Sequence, residues 1–190
     1  ESQRSRRMMG AVKRGDNKFI NEVALRAKEE WDNGWFADWF DGDVTLIPVP
    51  GSAPRLDAQA LWVPEKICQT LLAANIGSEV MACLVRDYKV PKNASQPPGN
   101  RATVQEQYDS MSIATDLLEA PYDQIVVVDD FITRGRTLTA ACSRVQEAFP
   151  DATVRAFTYG RSRGFDEVDH LVEPFHGEVL FNGYDANRQD

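Results

Sequence analysis

The chain predicts an α/β fold, a mostly parallel, twisted sheet with helices on both faces. Short strand-like runs recur at Val44–Pro50, Val80–Val85, Ile125–Val128 and Thr153–Gly160, the third mostly β-branched. Runs of this kind, bounded by proline, glycine or acids, read as buried strands. Between them lie helical stretches, Leu56–Ala74 and Leu138–Phe149. The second carries Leu138, Ala141, Cys142, Val145 and Ala148 at helical spacing. Strands that alternate with helices form a parallel sheet whose ligands bind beyond the carboxyl ends of the strands.

Bulk properties fit one domain of 190 residues with a substantial core. A hydrophobic content of 43% and a charged content of 26% are those of an ordinary globular chain. The net charge of -8 argues against a general nucleic-acid binder. Cys68, Cys83 and Cys142 stand singly, without metal-ligand spacing, and read as reduced thiols. No apolar run reaches the roughly 18 residues of a membrane span, and cytoplasm is the expected location.

The organisation predicted is a basic arm and helical hood over residues 1–43, then a core over 44–190. Arg4, Arg6, Arg7, Lys13, Arg14 and Lys18 make the first segment basic, and a solvated, partly frayed terminus is expected there. Phe19–Trp31 reads as a helix. Trp31, Trp35, Phe36, Trp39 and Phe40 then fall on one stripe, which suits packing against the sheet. Val44–Pro50 is a strand stopped by proline. Gly51, Ser52 and Ala53 follow in a small-residue loop where backbone amides can approach an anion, with Arg55 adding charge.

After the Val80–Val85 strand, residues 86–112 are crowded with proline and cations, among them Arg86, Lys89, Lys92 and Arg101. An irregular segment of that length inside a compact domain predicts a lid, and cations suit a lid over phosphates. Beyond Thr153–Gly160, Val168–Phe181 predicts an edge strand and a C-terminal element. His170 and His176 there have no metal-like neighbourhood.

The chemistry concentrates at Ile125–Thr137. Four apolar residues give way to Asp129 and Asp130, then to Thr133, Arg134, Gly135, Arg136 and Thr137 ahead of a helix. Loop amides and the positive end of a helix dipole hold phosphate, and carboxylates accept hydrogen bonds from a diol. Adjacent residues of an extended strand point to opposite faces, so both acids reach one sugar only if the chain turns at the pair. The bland reading is an acidic pair capping a helix after a core strand.

This string resembles the PRPP-binding signature of type I phosphoribosyltransferases: an apolar strand, two acids, two apolar residues, then Thr-Thr-Gly-x-Thr. Arg134 departs from it, standing where the family has a small residue. Pro48-Val49-Pro50 is similar to the segment before the pyrophosphate loop of ComF-like members. Lys13-Arg14-Gly15 and Asp57-Ala58-Gln59-Ala60 match ComF segments only in part. The resemblance implies a phosphoribosyltransferase that displaces pyrophosphate from PRPP with a nitrogen acceptor. It implies PRPP contacts from Asp129, Asp130 and Thr133 to Thr137, and pyrophosphate at Gly51, Ser52 and Ala53. Mg²⁺ is implied on pyrophosphate and ribose oxygens, with no direct protein ligand, under a lid over 86–112.

In catalysis Asp129 and Asp130 would hold the ribose, with Arg55, Lys89, Lys92 and Arg101 balancing the leaving group. Dimers are common in the family, so a homodimer is a further expectation. Thr133 stands where the family's 6-oxopurine salvage enzymes carry an aspartate base, which disfavours hypoxanthine or guanine as acceptor. Two alternatives stand beside the enzyme: a PRPP- or nucleotide-binding regulator without turnover, and a ComF-like accessory factor in DNA uptake.

Overall fold

The structure, a computed structural model, describes residues 3–57, 59–91, 101–114, 121–162 and 176–189. Its centre is a parallel four-stranded sheet flanked by helices. The strands are β1 (Val44–Pro48), β2 (Glu79–Val80), β5 (Gln124–Ile132) and β6 (Thr153–Arg161), in the order β2-β1-β5-β6. Val44, Leu46 and Ile47 of β1 are sequestered from water, as are Ile125, Val126, Val127 and Val128 of β5. Burial on both faces is what continuous apolar runs in a parallel sheet produce.

Two cores result. Val44, Leu46, Val126 and Val128 face one, shared with α2 (Asn17–Asp32) and α4 (Val63–Ala73). Ile47, Val49, Ile125 and Val127 face the other, with Leu138, Ala141 and Val145 of α6 (Arg136–Ala148). The expected α/β layering therefore holds. Among the described residues no helix is long and apolar enough to cross a membrane.

Several elements differ from expectation. The basic N-terminal segment forms α1 (Gln3–Lys13), and Ala11 and Val12 are buried. Val12 packs into the first core, so the segment is docked there. The aromatic stripe includes a short helix, α3 (Ala37–Phe40); Phe36 and Phe40 are buried and meet Phe157 edge-on, whereas Trp35 is exposed. The helix expected from Leu56 starts only at Val63, where Pro64 occupies its first turn.

The run Val80–Val85 serves two sheets. Met81 still donates its amide to Leu46, but β3 (Leu84–Arg86) leaves to pair antiparallel with β4 (Met111–Ile113). The predicted irregular segment 86–112 contains α5 (Val104–Asp109), closed by a capping box between Thr103 and Glu106. Val104, Gln107, Ser110 and Met111 are buried, so this part is packed structure and not lid. Lys92, His170 and most of the predicted Val168–Phe181 element lie outside the described residues. The remainder is β7 (Glu178–Phe181), which pairs with β8 (Ala186–Gln189) as a separate hairpin. The cysteines are free, with Cys68 and Cys83 buried, and burial raises all three thiols.

Candidate functional site

At the carboxyl ends of β1 and β5 a cavity of about 120 Å³ opens, lined by Gly51, Ser52, Arg86, Gln107, Asp129 and Thr137, with Val49, Pro50, Val90 and Pro91. Four predicted site residues thus meet: Gly51 and Ser52 from the loop, Asp129 from the strand end, and Thr137 from the first turn of α6. Parallel pairing sets this geometry, because Pro48 lies beside Val128 and Val49 donates its amide to the Val128 carbonyl at 2.9 Å. The loop and the acid are carried to one rim by that register.

Arg86 organises the cavity, whereas the sequence places it only in the lid. It is 5% exposed. Its Nε donates to the Gly51 carbonyl at 2.9 Å, and its Nη1 donates to the Gln107 carbonyl at 3.2 Å and to Ser110 Oγ. These acceptors are all uncharged, so they position the guanidinium without neutralising it. Burial pulls its pKa down to about 10, opposed by the charge of Asp129, and the group stays cationic at neutral pH. Val90 donates its amide to the Ser52 carbonyl at 2.9 Å, which fixes the other side of the loop.

Asp129 carries the most perturbed carboxyl of the rim. Burial, then the neighbouring Asp130 charge, pushes it up to about 8. It therefore keeps its proton to higher pH than an ordinary aspartate does. Asp129 Oδ1 accepts from the Asp130 amide at 2.8 Å, and Asp130 Oδ1 accepts from the Phe131 amide at 2.7 Å.

The expectation that the chain turns at this pair is corrected in form. Pairing with β6 skips Asp130 and resumes at Phe131 and Ile132. Phe131, however, packs against the same core as Val128, and Ile132 against the same core as Val127. The alternation of faces therefore slips by one residue without breaking the strand. Asp130 is not among the residues lining the cavity, so the two acids do not converge there.

The loop Thr133–Gly135 is irregular, and Gly135 caps α6 at φ 94°, a left-handed conformation that favours glycine. An added Cβ there would stand 2.6 Å from Val179 Cγ1 of β7, so the C-terminal hairpin packs on the loop. Asp185 of that hairpin grips Arg136 through Nε at 2.5 Å and Nη2 at 2.7 Å. Those bonds hold the Asp185 carboxyl below the usual range. Arg136 also donates to the Ala102 carbonyl at 3.3 Å. Predicted as a phosphate contact, Arg136 instead ties α6 to the hairpin and to the base of α5. Arg134 is half exposed and lies 3.7 Å from Asp185, so it points outward from the loop.

Other expected cations are likewise elsewhere. Arg55 pairs with Glu65 at 3.1 Å and stacks on Trp62 at 5.2 Å, a carboxylate having claimed it. Lys89 and Ala53 are exposed, and neither lines the cavity. Arg101 is half-buried and lends its carbonyl to Arg136. Sequence reasoning misses Gln107 entirely. The Thr-x-x-Glu capping signature at Thr103 and Glu106 could have marked its helix.

Among the described residues no group of three or more His, Cys, Asp or Glu side chains is arranged to hold a metal ion. Asp129 is the one carboxylate among the described residues that line the cavity. The arrangement can bind a small anion beside a buried cation and exchange hydrogen bonds with a hydroxyl. No protein-family model matches this chain, and no curated protein matches it.

Proposed function

We propose that this chain is a type I phosphoribosyltransferase of ComF-like kind, transferring the 5-phosphoribosyl group of PRPP to a nitrogen acceptor. On this reading the parallel sheet is the core of that fold. The observation that carries the proposal is the cavity shared by Gly51, Ser52, Asp129, Thr137 and a buried, charge-bearing Arg86. These are the groups needed to hold a pyrophosphate beside a sugar.

In the reaction the bond from the anomeric carbon to pyrophosphate breaks with its electron pair on the leaving group, while the acceptor nitrogen bonds to that carbon and releases its proton. Arg86 stabilises the charge that grows on pyrophosphate, in a recess where water screens it poorly. The small-residue loop at Gly51 and Ser52 lets the leaving group approach the backbone closely. Asp129 and Thr137 bond and orient the sugar side. On this reading Mg²⁺ would be carried on pyrophosphate and ribose oxygens, with no direct protein ligand. When bound, Mg²⁺ supplies further charge neutralisation on the departing group.

A second reading, a PRPP- or nucleotide-binding regulator without turnover, is favoured by the separation of Asp130 from the cavity and by the Asp185–Arg136 pair. Calorimetry with PRPP and Mg²⁺ tests binding: wild type binds, and Asp129→Asn with Asp130→Asn does not. Equal affinity in both proteins would reject the proposal. Pyrophosphate release with a panel of bases and amines then separates the two readings, release above background marking the enzyme.

A further inference from the structure

We propose that Gly160 of β6 is a positioning residue for this site: its bare backbone receives the ring of Phe131 and keeps that ring off the cavity wall that Asp129 occupies. The inference takes its ligand from the reading given under Proposed function and brings β6 into the machinery of the site. Gly160 lies beside Phe131 in the parallel register of β5 and β6. A Cβ built on Gly160 would stand 2.4 Å from Phe131 Cε1 and 2.6 Å from Cδ1. The ring therefore fills the space that a side chain at position 160 would need. Gly160 is not among the glycines with a left-handed φ, so it is this close approach that calls for glycine.

Strict alternation along β5 would turn Phe131 to the face of Val127 and Asp129, and Asp129 lines the cavity. A ring on that face would compete with Asp129 and with the ligand for a space of about 120 Å³. Phe131 packs instead against the core that holds Val126 and Val128, and it does not line the cavity. Lys13 Nζ of α1 lies 5.8 Å from the ring centre, a contact that favours the same side. Where the ring is diverted, pairing with β6 skips Asp130, and the Asp130 amide donates to Asp129 Oδ1 at 2.8 Å. The local path of β5 that seats the ring on Gly160 thus also sets the carboxyl of Asp129.

The test adds one methyl, as Gly160→Ala, and takes two readings: PRPP affinity by calorimetry in Mg²⁺, and the ligand-free titration of the Asp129 carboxyl by carbon-13 NMR. Gly160→Ala is expected to weaken PRPP about tenfold. The Asp129 midpoint is expected to fall from about 8 toward the ordinary carboxylate range, because the displaced carboxyl loses burial. The charges that act on Asp129, those of Asp130, Lys13 and Arg86, are untouched by the substitution, so the fall reports displacement. Adding Phe131→Leu, which removes the ring that meets the new methyl, is expected to restore both readings. Phe131→Trp crowds the same contact from the other strand, with the same two effects expected, and decides the matter if Gly160→Ala does not fold. Unchanged affinity overturns the inference, as does a loss that Phe131→Leu does not restore. A loss with the Asp129 titration unmoved overturns it too, because the glycine is then merely structural. Wild type that does not bind PRPP ends the function proposal alone, since the titration is read without ligand.

Discussion

The two sides of the rim hold their arginines in opposite ways. On the cavity side Arg86 is buried and bonded to two carbonyls and a hydroxyl. On the loop side Arg136 makes two bonds to one carboxylate, and Arg134 lies near the same group. Neutral acceptors fix a guanidinium and leave its charge in the field, whereas a carboxylate cancels it. The side that holds two arginines is thus the poorer in available charge. What an anion senses is set by the partner of each arginine, not by the number of arginines.

Arg86 gives the sharpest way to break this contrast. Arg86→Met strands the Gly51 and Gln107 carbonyls and should cost about 3 kcal/mol of stability, with PRPP binding lost. Arg86→Lys keeps the charge but replaces the planar fork with a point donor. It should recover part of the binding and less of the stability. Chemical denaturation and calorimetry on both variants check this. A methionine variant as stable as wild type would show that the guanidinium is not the anchor described.

Asp129 sharpens the comparison through pH. Its folded pKa is raised to about 8 by burial and by Asp130, so the folded state retains a proton that the unfolded state gives up. The stability this contributes is complete below the ordinary carboxylate range and is lost as pH rises through about 8. Asp129→Asn removes that dependence. Relative to wild type it should gain about 2 kcal/mol at high pH and little in acid. Urea midpoints at acidic and alkaline pH decide it, and parallel curves for the two proteins would mean that Asp129 ionises freely.

Much of this fold was legible because β1, β5, α6 and β6 each carry a local signal, an apolar run or a helical stripe. The cavity residues Gly51, Ser52, Asp129 and Thr137 were legible because strand ends in a parallel sheet share a rim. The run Val80–Val85 misleads, since continuous apolarity does not show where a strand changes sheets. Pro97, Pro98 and the neighbouring cations hide α5, although its capping residues Thr103 and Glu106 are in view. Arginine partners are the least legible. Glu65 is 10 residues from Arg55, and Asp185 is 49 from Arg136. Only the tertiary fold reveals which cation meets an acid, so sequence alone credits Arg55 and Arg136 with a charge the fold cancels.

The mildest test works on the loop side. Asp185→Asn keeps the shape of the hairpin and removes the charge that pairs with Arg136 and sits near Arg134. The pair is partly solvated, so the loss of stability should be about 1 kcal/mol. Two arginines beside the amino-terminal end of α6 would then regain their charge, and helix amino termini already favour anions. Inorganic phosphate should bind a few-fold tighter than to wild type at low ionic strength, the gain shrinking as salt screens it. Titration of phosphate at low and high salt measures the effect. A weaker affinity in the variant would mean that Asp185 positions Arg136 for the ligand. The loop side would then work as the cavity side does, with its cation fixed for use, and the contrast drawn between them would fail.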